Sequence, residues 1–161
     1  MFEYGRYELL HGELILVPPP VFKHYAILDT LRRLLEVAAT LQYGRICPEF
    51  AFRPGDENFY ICDIAWVSNL RWDAAVGNSY FQGSPELVVE ILSPSNKALD
   101  MLEKEQVSLA TAAREFWLVD GDRRQIKVST PDGHTITYRP GQQISLFFAE
   151  GATLAVDSVF A

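Results

Sequence analysis

The sequence predicts an α/β (α+β) domain, and two patterns carry that prediction. The first is the succession of an apolar run from Glu86 to Leu92, a helical stripe from Asn96 to about Ala113, and a second apolar run from Glu115 to Asp120. Nearly continuous apolar runs bounded by turn residues are typical of strands buried on both faces, and a strand, helix, strand unit of this kind forms a right-handed crossover by default. The second pattern is a set of shorter strand signals on either side, which extends that core.

Taken in order, Tyr7 to Leu10 and Glu13 to Val17 are two apolar-rich runs separated by His11-Gly12, the spacing of a tight hairpin in which glycine supplies the positive φ. Pro18-Pro19-Pro20 closes that segment. Beyond it Ile27, Leu28, Leu31, Leu34, Leu35 and Ala38 recur at helical spacing, so residues from about 22 to 42 read as one amphipathic helix, with Gly44 ending it. Ile46 to Phe52 and Phe59 to Val67 are rich in aromatic and β-branched residues and are joined by turn chemistry, Pro54-Gly55-Asp56 with Glu57-Asn58, so these two strands are expected to pair. The helix after Glu86–Leu92 presents Leu99, Leu102, Gln106, Val107 and Ala110 along one side. The remainder, Gln125 to Ser129, Thr135 to Tyr138, Gln143 to Phe147 and Thr153 to Val156, reads as a β meander that covers a sheet edge or builds a dimer surface.

Composition excludes several classes. The chain has 161 residues with 48% hydrophobic and 22% charged residues, which suits a core-forming domain and excludes a low-complexity tail. Cys47 and Cys62 form no C-x-x-C pair and sit in apolar strand-like stretches, where two reduced thiols are expected. No apolar run reaches the length of a membrane span, and Met1-Phe2-Glu3-Tyr4 shows no signal-peptide pattern, so a cytoplasmic protein without membrane contact is expected. The formal charge of −7 opposes an overall basic, nucleic-acid-coating surface.

The informative anomaly is a pair of carboxylates inside strand patterns. Asp63 interrupts Phe59 to Val67, and Glu90 interrupts Leu87 to Leu92. An ionised carboxylate in an apolar sheet costs several kcal/mol unless it is paired, hydrogen-bonded, protonated or metal-bound. Salt bridges to separate Arg or Lys residues are one solution. The other adds Lys104, four residues after Asp100 on the helix that follows Glu90; its alternative is an ordinary exposed Asp100–Lys104 helix pair. Two carboxylates and a lysine suit phosphodiester hydrolysis: carboxylate oxygens hold Mg²⁺ with waters, and metal and cation together stabilise transition-state charge and orient a water. Glu13, just past the hairpin turn, is a fourth candidate, its alternative being an exposed strand glutamate.

The order Tyr7-Glu8-Leu9-Leu10-His11-Gly12-Glu13-Leu14, Pro18-Pro19-Pro20, Asp63 in a strand, Leu87-Val88-Val89-Glu90-Ile91-Leu92-Ser93-Pro94-Ser95, Asp100 with Lys104, and Glu115-Phe116-Trp117-Leu118-Val119-Asp120 resembles the Uma-two family, whose members are assigned as endonucleases of the restriction-endonuclease-like, PD-(D/E)XK superfamily. The resemblance spans roughly residues 5 to 130. It implies a mixed β-sheet core flanked by helices, whereas the length and the strand pattern give a single domain, residues 1–161, with a core of about 5–130 and a C-terminal β extension of about 131–161. It also implies that Asp63 and Glu90 are the metal-binding acids, Glu13 an additional acid, the Ile91 carbonyl a further ligand, and Lys104 a catalytic lysine carried on the helix. The family pattern is departed from at several places: Leu92 stands where the general nuclease pattern has its lysine, Cys62 where a proline precedes the first acid, Ser108 for a tyrosine, Ala112 for a glycine at the helix end, and His11-Gly12 for Asp-Gly.

Other constellations are weaker. His11, His24 and His134 are scattered without zinc spacing. Ser93 and Ser95 lie in a strand-to-helix turn without a nucleophile elbow, so capping is expected of them. Trp66, Trp72 and Trp117 read as core or interface residues. Arg71, Lys97, Arg114, Arg123 and Arg124 are the cations expected to meet phosphate.

The leading expectation is a Mg²⁺ (or Mn²⁺) dependent endonuclease acting on DNA, and the competing one is a catalytically inactive interaction or assembly module on the same fold. The apolar end, Leu154 to Ala161, suggests a homodimer. Removing Asp63, Glu90 and Glu13 from the count moves the charge from −7 to −4, so part of the acidity is what a metal site without its metal looks like.

Overall fold

The computed structural model describes residues 5–39 and 43–161, so the last positions of the expected first helix, 40–42, lie outside the described residues. Strands β1 (Arg6–Leu10) and β2 (Glu13–Val17) form the expected hairpin, with His11 at φ 50° and Gly12 at φ 77°. Two positive φ values in a two-residue loop match the right-handed twist of the flanking strands. Helix α1 (Phe22–Ala38) buries Leu28, Leu31 and Leu35, a stripe worth about 1.5–3 kcal/mol per side chain removed from water.

Strands β3 (Gly44–Gly55) and β4 (Asn58–Ser68) pair antiparallel along nearly their whole length. Gly44 is required there, because a Cβ would lie 2.4 Å from the Trp66 ring and 2.6 Å from the Val67 carbonyl oxygen. A short helix, α2 (Asn69–Ala75), follows with the Ser68 hydroxyl accepting from the Arg71 N–H. Strand β5 (Leu87–Ile91) then pairs antiparallel with β4 and parallel with β6 (Glu115–Asp120), and α3 (Ala98–Ala110) joins the two parallel strands. Strands β7 (Gln125–Ser129) and β8 (Thr135–Tyr138) extend the sheet antiparallel. The order is β2-β1-β4-β5-β6-β7-β8, with β3 on the other edge of β4. This is the mixed sheet flanked by helices that the sequence predicts.

The C-terminal segment departs from a simple meander. After β7 and β8, strands β9 (Gln143–Ser145) and β10 (Thr153–Ala155) form a separate two-stranded sheet, and a short helix, α4 (Val156–Val159), follows. Leu154, Val156 and Val159 are buried in the same core cluster as Leu28, Leu31 and Leu35. The apolar end expected to favour a homodimer is therefore consumed by the chain's own core.

Two apolar layers sandwich the sheet. Leu87, Val89 and Ile91 join the cluster that contains the α1 leucines, whereas Val88 joins the cluster containing Met101 of α3. Strand alternation therefore sends Glu90 to the α3 side. Trp66 and Trp117 are core residues, as expected, and Trp66 stacks on Phe148 with ring centroids 5.1 Å apart. Cys47 and Cys62 are free thiols. Among the described residues no helix is long and apolar enough to cross a membrane.

Candidate active site

The site begins with an unusual edge. Strand β3 occupies one edge of β4 throughout, so β1 and β5 must share the other: β1 meets β4 at the Leu9–Phe59 pair, and β5 meets it only from Ile64 to Trp66. Between these contacts β4 has no strand partner on that edge, and buried main-chain groups left unpaired are costly. Side chains fill the gap. The Ile61 N–H donates to Glu8 Oε1 at 3.1 Å, and the Ile61 carbonyl accepts from Lys104 Nζ at 3.2 Å. The fork between β1 and β5 opens into a cleft of about 320 Å³.

Lys104 enters this fork from α3 and is 6% exposed. Its ammonium lies 2.8 Å from Glu8 Oε1 and 2.7 Å from Glu90 Oε1. The second contact is a buried ion pair, both side chains being less than a tenth exposed. Lys104 Nζ also stands 5.4 Å from the Tyr60 ring centroid. The exposed Asp100–Lys104 pair is not formed; Asp100 lies elsewhere on the cleft lining.

Burial is the largest influence on Glu90 and pushes its carboxyl up to about 8, with Asp63 and Glu8 adding to the rise and Lys104 opposing it. Lys104 moves upward, because the attraction of Glu90 and Glu8 outweighs its own desolvation. The lysine thus stays protonated while the proton equilibrium of the pair resides on Glu90.

Asp63 is held differently. One oxygen, Oδ2, accepts the Ile91 N–H at 2.7 Å and lies 3.2 Å from His24 Nε2. His24 is in the first turn of α1, four residues before the buried Leu28, so the packing of that helix sets the ring's place. The hydrogen bond to Asp63 raises the His24 pKa against the opposing effect of burial.

The structure thus brings Asp63, Glu90, Ile91 and Lys104 to one cleft, and it leaves Glu13 outside that lining. Glu13 shares a face of the hairpin with Glu8, but it stands on the outer strand opposite Leu10, at the turn end. Glu8, one strand further in and beside β4, has the place expected of Glu13. Of the cleft residues outside the expected set, Glu8 contacts Lys104 and His24, which the sequence shows only as a scattered histidine, contacts Asp63. The signal for His24 was its i−4 spacing from Leu28, which continues the buried stripe of α1 one turn further.

Of the expected phosphate-binding cations, Lys97 lines the cleft. Arg71 instead pairs with Glu86 and packs over the Phe81 ring, Arg114 packs over Phe147, and Arg123 pairs with Asp120. These are fold contacts.

Among the described residues no group of three or more His, Cys, Asp and Glu side chains is placed to hold a metal ion. Mg²⁺ does not require such a group, since it is commonly held by one or two carboxylates with several waters retained. The donors here are all oxygen. Glu90 Oε1 faces the Lys104 ammonium, while among the described residues no hydrogen bond or ion pair reaches Glu90 Oε2 or Asp63 Oδ1, so both carboxylates keep an oxygen for a hard cation. The residues fit a Mg²⁺ or Mn²⁺ ion.

Comparison with known proteins bears on fold and family. The chain is similar to a solved structure described as a putative nuclease belonging to DUF820 from Anabaena variabilis ATCC 29413, with 21% identity over 96% of this chain and 89% of that one, at a TM-score of 0.84. At that identity the likeness shows a shared fold. No curated protein matches. The sequence pattern of the Uma2 family, described as "Putative restriction endonuclease", matches residues 3–158. With nearly its whole length matched and the nuclease-type fold in place, the chain belongs to the Uma2 family.

Proposed function

We propose that the chain is a Mg²⁺ (or Mn²⁺) dependent endonuclease that hydrolyses phosphodiester bonds in DNA. The observation that supports this most is the arrival of Lys104 Nζ, from a helix, 2.7 Å from Glu90 Oε1 in a cleft that also contains Asp63. The carboxylates of Asp63 and Glu90, with the Ile91 carbonyl, would hold the cation. When bound, it supplies positive charge to the phosphoryl oxygens and lowers the pKa of a bound water. Lys104 contributes a second, fixed positive charge for the extra negative charge of the transition state, in a site where burial limits screening. Glu8 is the group that orients it, at 2.8 Å. Lys97 on the cleft lining is available to a flanking phosphate.

A non-catalytic assembly module on the same fold is the competing reading; with Ser108 one turn beyond Lys104 on α3 and Ala112 just past the helix end, Lys104 still contacts Glu8 and Glu90. Incubation of the purified chain with plasmid and short duplexes, with Mg²⁺ or Mn²⁺, tests the proposal. Cleavage that disappears in Asp63→Ala and Lys104→Ala supports it, and cleavage that survives both overturns the site.

A further inference from the structure

We infer that His24 is a positioning residue that fixes the Asp63 carboxylate, so that Oδ1 alone is left for a divalent cation. The inference rests on the proposed metal-dependent reading of the cleft and adds a residue to it.

Three observations carry it. Asp63 Oδ2 is engaged twice, by the Ile91 N–H at 2.7 Å and by His24 Nε2 at 3.2 Å, and neither contact involves Oδ1. An ionised carboxylate only accepts hydrogen bonds, so His24 must carry its proton on Nε2 to make the contact. Both side chains are 11% exposed, and the ring sits on the buried stripe of α1, so neither partner has freedom to turn away. The two donors reach Oδ2 from different elements: the main chain of β5 and the first turn of α1. Together they fix the carboxylate's rotation as well as its position. A main-chain donor by itself would leave the carboxylate free to exchange its two oxygens.

His24 is also placed where a positioning residue is needed. Asp63 lies on the open part of the β4 edge, beyond the last ladder contact with β5 at Ile64–Val89. From β5 the Asp63 side chain therefore receives a main-chain donor, the Ile91 N–H, in place of a ladder partner. Among the described residues no hydrogen bond or ion pair joins His24 to Glu90 or Lys104, so its polar link to the site runs through Asp63. Its remaining nitrogen, Nδ1, is buried without a hydrogen-bond partner. That unpaired atom is a cost that a leucine in the same stripe would not carry, which fits a residue kept for its Nε2 donor.

The test is Mn²⁺ binding to the full chain by titration calorimetry, with unfolding of the metal-free protein measured alongside. Outer-shell donors of this kind typically contribute about 10–100-fold to metal affinity. His24→Leu, which keeps the apolar packing and removes the donor, is expected to weaken Mn²⁺ binding by that factor while the metal-free protein remains as stable as wild type or more so. His24→Gln, whose amide N–H sits near the position of Nε2, is expected to recover binding to within a few-fold. Equal Mn²⁺ affinity in wild type and His24→Leu overturns the inference and leaves the metal site standing. Failure of His24→Gln to recover binding, with its fold intact, also overturns it. A wild-type chain that takes up no Mn²⁺ removes the metal-dependent reading, and this inference falls with it.

Discussion

Replacing Glu90 with glutamine changes the charge at the floor of the cleft and almost nothing of its shape, which isolates one quantity. Burial moves the Glu90 carboxyl from its ordinary 4.5 to about 8. The sign follows from proton counts. Between those two values the unfolded chain has released the Glu90 proton and the folded chain still holds it, so stability falls as pH rises through this window. Below about 4.5 the group contributes no penalty; above about 8 the penalty is complete. At ~1.4 kcal/mol per tenfold change in acidity, the full displacement corresponds to roughly 5 kcal/mol, and interior relaxation brings the expectation to the order of 3–5 kcal/mol. Glu90→Gln escapes this penalty. The stability of Glu90→Gln minus that of wild type should therefore grow by about that amount from pH 4.5 to pH 9, whatever its value at the acid end. Urea unfolding followed by the fluorescence of buried Trp117, in chelator-treated buffer, measures it. The other carboxylates are common to both proteins and cancel in the difference. A difference that stays flat with pH, or that turns against Glu90→Gln at pH 9, would mean that Lys104 compensates the Glu90 charge fully, and the reasoning would be refuted.

Other expectations follow from single contacts. Glu8→Gln should slow DNA cleavage by about tenfold or more by loosening Lys104, while Glu13→Gln should leave the single-turnover rate near wild type; the reverse order would restore Glu13 to the site. Ala112 sits at φ 91° just past α3, where only glycine is unstrained, so Ala112→Gly should raise stability by ~0.5–1 kcal/mol in thermal unfolding. Gly44→Ala places a methyl against the Trp66 ring and the Val67 carbonyl and should cost about 1–3 kcal/mol in urea titration.

Much of this arrangement was legible in the residues. Strand β6 has the bounds its apolar run predicts, Glu115 to Asp120, and the pairing of β3 with β4 follows from turn residues between two aromatic-rich runs. Asp63 and Glu90 stood out because an unpaired carboxylate does not belong in an apolar strand, a local signal with a large energy behind it. Glu8 and Glu13 could not be separated in the same way. Both occupy one face of one hairpin, and what distinguishes them is which strand of that hairpin lies against β4, a pairing across some fifty residues seen at Leu9–Phe59. The short helices α2 and α4 carry too few residues for a periodic pattern. The use of Leu154, Val156 and Val159 within the chain's own core depends on where α1 lies, which no local pattern contains.

The central claim is that a carboxylate-held divalent cation and the Lys104 ammonium act together on a DNA phosphodiester. Single-turnover cleavage of supercoiled plasmid, followed across a Mg²⁺ titration in wild type and Lys104→Met, tests it most directly. The account predicts a rate that saturates with Mg²⁺ in wild type and stays about 10²-fold or more lower in Lys104→Met at every Mg²⁺ concentration. Wild-type cleavage that is absent at all concentrations, or Lys104→Met cleavage equal to wild type at saturating Mg²⁺, would contradict it.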